Sequence, residues 1–134
     1  MIGQVGDARA ANSFAAFLPP VLVELSRLRA QIRTWLVSAG CNDEVTADIE
    51  LATSEAAANA IEHGASETQR AVSVVGRVVD GVVSIVIRDH GRWREPGPPA
   101  NRGRGLSIMR RLMDGVTVEP RADGTVVRLE HALR

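Results

Sequence analysis

The sequence predicts an α+β domain in two layers, with helices packed on one side of a short-stranded sheet. Three observations carry that expectation. Apolar residues recur at helical spacing in two long stretches, Leu22, Leu25, Leu28, Ile32, Trp35 and Leu36, then Val45, Ile49, Ala52, Ala56 and Ala60. Two runs rich in valine and isoleucine, residues 71–79 and 82–88, flank Asp80-Gly81, a two-residue hairpin signal that demands positive φ. A short helical pattern over residues 106–113 is followed by a second hairpin, residues 116–119 and 125–131, turning over residues 121–124.

Each element has local reasons. Residues 1–12 lack periodicity and are expected to be flexible, and residues 13–17 are read as a short edge strand. Pro19 and Pro20 suit a helix entry, where the first N–H groups have no partner to lose. The first helix stops at Gly40. Its outward face is expected to carry Arg27, Arg29 and Arg33 as solvated charges. Asn42 caps the second helix, with Asp43 and Glu44 complementing its dipole, and the helix is expected to run to about residue 62 and close at His63-Gly64. The segment 92–102, R-W-R-E-P-G-P-P-A-N-R, holds three prolines and three arginines and reads as a loop or lid.

Composition narrows the function classes. A chain of 134 residues fits one domain, residues 13–134, with a real core. Lys+Arg and Asp+Glu both number 16, so neither nucleic acid nor an anionic membrane is indicated as the main partner. Aromatic residues are 3% with no tyrosine, which argues against a base-stacking platform. No run approaches a membrane span and the first residues have no signal character, so the cytoplasm is expected. Cys41, the single cysteine, excludes an internal disulfide and a Cys-based zinc site, and it reads as a small filler residue. His63 reads as a structural histidine rather than a metal ligand.

The second helix concentrates the chemistry. Its buried stripe is mostly alanine, which implies that another backbone packs very close. Glu55 and Asn59 sit one turn apart on a neighbouring face. On this stretch alone the pair is equally well read as two solvated helix residues. Downstream, Asp89 falls at a strand exit with Gly91 behind it, and glycine permits close backbone approach. Gly103-Arg104-Gly105 precedes a helix, where exposed N–H groups and the dipole favour an anion. Gly124-Thr125 opens the last strand.

Taken together, S-E-A-A-A-N-A-I-E-H-G, I-R-D-H-G-R-W, G-R-G-L-S-I-M-R-R-L-M-D and Gly124-Thr125, in this order, resemble the GHKL (histidine-kinase-like) ATPase superfamily. Within it they look like the stand-alone anti-sigma regulatory factors with serine kinase activity, and the similarity covers about residues 13–132. The resemblance implies a Bergerat-type two-layer α/β sandwich, with a mixed, mostly antiparallel sheet and about three helices on one face. It implies ATP and Mg2+ as cofactors. Asn59 would supply a hard oxygen to the metal, and Glu55 would orient or deprotonate the acceptor as the catalytic residue. Asp89 would accept from the adenine amine, a bond of roughly 1.5–3 kcal/mol, while Gly91 keeps the backbone clear of the ring. The N–H groups of Gly103, Arg104, Gly105 and Leu106 would hold phosphate, and Thr125 would stand near adenine. Trp93 departs from the pattern, because it occupies the last place of the superfamily's D-x-G-x-G.

The function so implied is a switch that sequesters a sigma factor and phosphorylates a serine or threonine of an anti-anti-sigma antagonist. Arg29 stands where the resemblance places a partner-binding arginine, although a solvated face reads equally well. Pairing of two protomers through the N-terminal strand and helix is likewise implied. The alternative is an ATP-sensing module of the same fold without phosphotransfer. A histidine-kinase catalytic fragment would need a phospho-accepting helical hairpin that these residues do not hold.

Overall fold

The computed structural model describes residues 12–65, 70–91 and 104–133. In chain order these are β1 (Ser13–Leu18), a 3-10 turn (Leu22–Glu24), α1 (Leu25–Ser38), α2 (Asp43–Asn59) and a π-helical turn (Ala60–Ala65), then β2 (Val72–Val79), β3 (Val82–Asp89), α3 (Arg104–Leu112), β4 (Gly115–Arg121) and β5 (Gly124–Ala132). The strands form one sheet in the order β1-β2-β3-β5-β4. Every pairing in it is antiparallel, where a mixed, mostly antiparallel sheet had been expected. The reason lies in the return path. After β3 the chain crosses to the far edge, lays down β4 and folds back as β5 into the space beside β3. The exit of β3 therefore meets the entry of β5.

Alternation along the strands separates the faces. Val72 and Val74 of β2, Val83, Ile85 and Ile87 of β3 and Leu129 of β5 are buried with Leu28, Ile32, Trp35 and Leu36 of α1, Ile49, Ala52 and Ala56 of α2 and Met109 of α3. The opposite face carries Val75, Val79 and Val82 in solvent, with ion pairs such as Arg128–Glu119 at 3.0 Å. Exposed pairs of this kind contribute little to stability.

Local signals decide the turns. Asp80 and Gly81 have φ of 52° and 76°, as a type I′ hairpin requires. After α1 the Cys41 N–H bonds Leu36 O and the Gly40 N–H bonds Val37 O, with Gly40 at φ 94°, which is a Schellman ending. Asn42 Oδ1 accepts the Val45 N–H at 2.8 Å and caps α2. Boundaries shift in three places. Leu22 is 49% exposed because it belongs to the 3-10 turn and not to α1. The α-helical part of α2 ends at Asn59, and a π turn carries the chain to Ala65. α3 begins at Arg104, so Gly105 lies inside its first turn rather than before it.

The expected outward arginine face of α1 is corrected at Arg29 alone, since Arg33 is 64% exposed although it reaches Glu50. Leu28 and Ile32 point into the core, so positions 29 and 33, one step round the helix, run along the seam with α2. Arg29 Nη1 donates to Ser54 Oγ at 3.2 Å, and Arg33 Nη2 pairs with Glu50 at 2.8 Å. Arg27, 71% exposed, remains in solvent near Glu24. The expectations for residues 1–11, for the lid at 92–102 with Trp93, and for the side chain of His63 lie outside the described residues.

One buried contact locks the β1 side of the sheet to α1. Phe14 lies opposite Gly76 in the strand register and packs its ring 5.5 Å from that of Trp35. A Cβ at Gly76 would stand 2.6 Å from the Trp35 ring. Gly76→Ala is therefore expected to lose about 1–3 kcal/mol to overpacking. Urea unfolding should show a lower midpoint with an unchanged slope.

Candidate functional site

Two close contacts assemble the candidate residues. The first joins the end of α2 to the start of α3. Asn59 is the last α-helical residue of α2 and is half-buried, as is Glu55 one turn before it. A Cβ at Gly105 would stand 3.0 Å from Asn59 Nδ2 and 3.5 Å from its Oδ1. Glycine thus lets the backbone at the helix start lie against the Asn59 amide. First-turn N–H groups have no intrahelical partner and carry the positive end of the dipole. Gly105 and Leu106 belong to that turn, whereas Gly103 and the side chain of Arg104 lie outside the described residues.

The second contact joins the exit of β3 to the entry of β5. Asp89 and Thr125 face each other in the ladder, and both are buried. Asp89 Oδ1 accepts the Gly91 N–H at 2.9 Å, an Asx turn that aims the carboxylate and holds the buried Gly91. Gly124 has φ +153°, and a Cβ there would overlap the carbonyl oxygen of Asp89. Only glycine admits so close a strand crossing at this point. Burial pushes the Asp89 carboxyl above the usual aspartate range, against the opposing pull of the Gly91 and Thr125 amides and of His90.

Both contacts lie on the helix-covered face. Asp89 continues the inward alternation of Val83, Ile85 and Ile87, and the π turn that follows Asn59 packs on β2, β3 and β5. The alanine stripe of α2 is fully seated: Ala52, Ala56, Ala57 and Ala60 are buried, with Thr53 among them. Among the described residues no three His, Cys, Asp or Glu side chains gather into a metal cage. The donor set suits a divalent ion that arrives chelated to phosphate. Asn59 offers a neutral hard oxygen, and the Gly105 gap leaves backbone N–H groups beside it for the anion.

The sequence reading passed over two features of this region. Gly124 fits against Asp89 only once the strand order is known. The bond from Arg29 to Ser54 has a sequence signal, because Arg29 and Arg33 step by four on one helix while Ser54 and Glu50 step by four on the next.

A family model described as a histidine kinase-like ATPase domain matches residues 18–131. The chain belongs to this family. Membership carries ATP binding of the kinase-like ATPase kind. Among solved structures, the RsbU and RsbW domains of Rv1364c from Mycobacterium tuberculosis are 29% identical over 90% of this chain, with a TM-score of 0.76. This chain spans only 32% of that one. The histidine kinase domain of the Erythrobacter litoralis EL346 blue-light activated histidine kinase is 25% identical over 86% of this chain and 61% of its own, with a TM-score of 0.59. The SiaB-SiaC complex from Pseudomonas aeruginosa shares the fold, with a TM-score of 0.64 over 97% of this chain and 94% of the other at 11% identity. Among the described residues no helix is long and apolar enough to cross a membrane.

The raised Asp89 carboxyl sets a pH dependence of stability. Between the ordinary aspartate value of 3.8 and the higher native value, the folded state binds more protons than the unfolded one. The contribution of Asp89 is thus full below the ordinary value and is lost as pH rises through the native value. Asp89→Asn keeps an acceptor for Gly91 without the charge. It should unfold at higher urea than the parent at pH 7, and the gap should close below the ordinary aspartate value. Unfolding midpoints across that range check this.

Proposed function

We propose that this domain is an ATP-dependent serine/threonine protein kinase that acts as an anti-sigma factor in a partner-switching system. It sequesters a sigma factor and phosphorylates an anti-anti-sigma antagonist, which thereby loses its hold on the switch. The observation that carries the proposal is the seat of Gly105 against Asn59, which sets unpartnered N–H groups beside a metal-binding amide, as a magnesium-bound triphosphate requires. The likeness to a chain that holds an RsbW domain, at 29% identity, supports the choice of a protein-directed kinase, and SiaB-SiaC, alike in fold, is a complex of two proteins.

Each residue then has a role. Asp89 accepts from the exocyclic amine of adenine, and its Asx turn with Gly91 keeps the carboxylate in place. Thr125, directly opposite, adds a hydroxyl at the same end. The N–H groups of Arg104, Gly105 and Leu106 in the first turn of α3, with that of Gly103 before it in sequence, hold phosphate oxygens. Asn59 would hold Mg2+ through its side-chain oxygen, and the ion would supply charge neutralisation on the phosphates. Glu55, one turn before Asn59, takes the proton of the acceptor hydroxyl as that oxygen bonds to the terminal phosphorus and ADP leaves. Arg29 stands on the partner-facing helix. The place of β1 at the end of the strand order among the described residues, with Phe17 72% exposed, supports pairing of two protomers through that strand and α1. The cytoplasm is the location consistent with such partners.

Incubation with labelled ATP and the antagonist should label the antagonist on serine or threonine, and binding without label would end the kinase assignment in favour of an ATP sensor. Glu55→Ala should abolish transfer while nucleotide affinity, read by calorimetry, stays within about twofold. Asp89→Ala should weaken ATP binding by roughly 10- to 150-fold, the loss of one charge-assisted bond of about 1.5–3 kcal/mol. Because the ionised carboxylate is the acceptor, ATP affinity of the parent should fall with acid, starting at a higher pH than for an ordinary aspartate.

A further inference from the structure

We infer that Arg29 and Ser54 form a positioning pair that sets the direction of Glu55, so that α1 is mechanically joined to the reacting end of α2. The inference rests on the role proposed above for Glu55. Ser54 immediately precedes Glu55 and is 8% exposed. A serine inside a helix ordinarily bonds back to its own preceding turn or turns outward to water. Here its Oγ instead accepts from Arg29 Nη1, 3.2 Å away, across a sequence gap of 25 residues. The guanidinium is always charged and half-buried, so the bond has a lasting donor.

A second, more exposed rung lies one turn along the seam. Arg33 Nε donates to Glu50 Oε2 at 2.9 Å, and its Nη2 stands 2.8 Å from the same oxygen. The two arginines are one turn apart on α1, and their acceptors are one turn apart, in the opposite sense, on α2. Sliding α2 by a turn or rotating it by one position would break both rungs at once. Adjacent residues on a helix differ in direction by about 100°, so fixing the Ser54 side chain towards α1 fixes where Glu55 and, one turn on, Asn59 are aimed. Neither Arg29 nor Ser54 has to touch nucleotide for this to hold.

Ser54→Ala removes the acceptor, fits the helix and creates no large cavity. The expected result is a roughly tenfold fall in the rate of transfer to the antagonist, with ATP affinity within about twofold of the parent. Ser54→Thr, which keeps the hydroxyl, should restore most of the rate. The double variant Arg29→Ala/Ser54→Ala should transfer no more slowly than the slower single variant, because the two groups act through one bond. Transfer by Ser54→Ala at the parent rate would overturn the inference, as would single-variant losses that multiply in the double variant. A readout independent of transfer is the 15N NMR spectrum of the nucleotide-free protein. The Glu55 backbone and Asn59 side-chain amide signals should move in Ser54→Ala and return in Ser54→Thr, while the signals of β4 and β5 stay in place. If the parent itself transfers no phosphate, the kinase reading falls, and the pair is judged on these signals alone. Unmoved Glu55 and Asn59 signals would dismiss it.

Discussion

The seat of α2 on the sheet is the constraint on which everything else depends. Its inner face is alanine and threonine where a buried helix would ordinarily present leucine, and Ala52, Thr53, Ala56 and Ala57 are at most 1% exposed. Small side chains bring a helix axis close to what it packs on, and interiors filled at crystal-like density leave such a helix little freedom to shift. Three consequences follow from this close seat. The end of α2 reaches the start of α3, with Asn59 against Gly105. The π turn after Asn59 continues onto β3 and β5. Glu55 is held half-buried at the edge of a rigid element rather than on a loop.

Electrostatics at the strand exit oppose stability. Asp89 is buried with its carboxyl raised, so its ionised form is disfavoured relative to water, and two backbone amides offset only part of that cost. A protein selected for stability alone would hold a neutral residue there. A buried acceptor aimed by an Asx turn, opposite a hydroxyl and beside a glycine that no other residue can replace, fits the recognition role proposed for it, at the expense of folding free energy. The seam between α1 and α2 has the complementary character. Its charged groups reach across an interface and hold the helix that carries Glu55 in register.

Much of this was legible in the chain. The stripe Val45, Ile49, Ala52, Ala56 and Ala60 is buried throughout, and Asp80-Gly81 forms the turn its residues require. Asn42 caps α2 and Gly40 ends α1, because these signals act over a few residues and need no tertiary partner. Misreadings occur where a distant element overrides the local pattern. Leu22 follows the apolar periodicity yet is exposed, since the 3-10 turn takes it out of register with α1. Arg29 looks like a solvent-facing charge until α2 is placed beside it. Gly105 looks like part of a pre-helical loop, and its place in the first turn follows from the approach to Asn59.

The amino-acid order alone determined the α+β class, the identity of the helices and hairpins, and which residues are candidates for a nucleotide site. Periodicity, caps and turn chemistry are short-range, and they depend only on neighbours in the chain. Tertiary structure alone decided that β5 inserts between β3 and β4, which brings Asp89 against Gly124 and Thr125 from far along the chain. It alone decided too that Arg29 holds Ser54 rather than water. Those contacts join segments whose separation no local pattern encodes, and they form only when burial of the whole core fixes which faces meet.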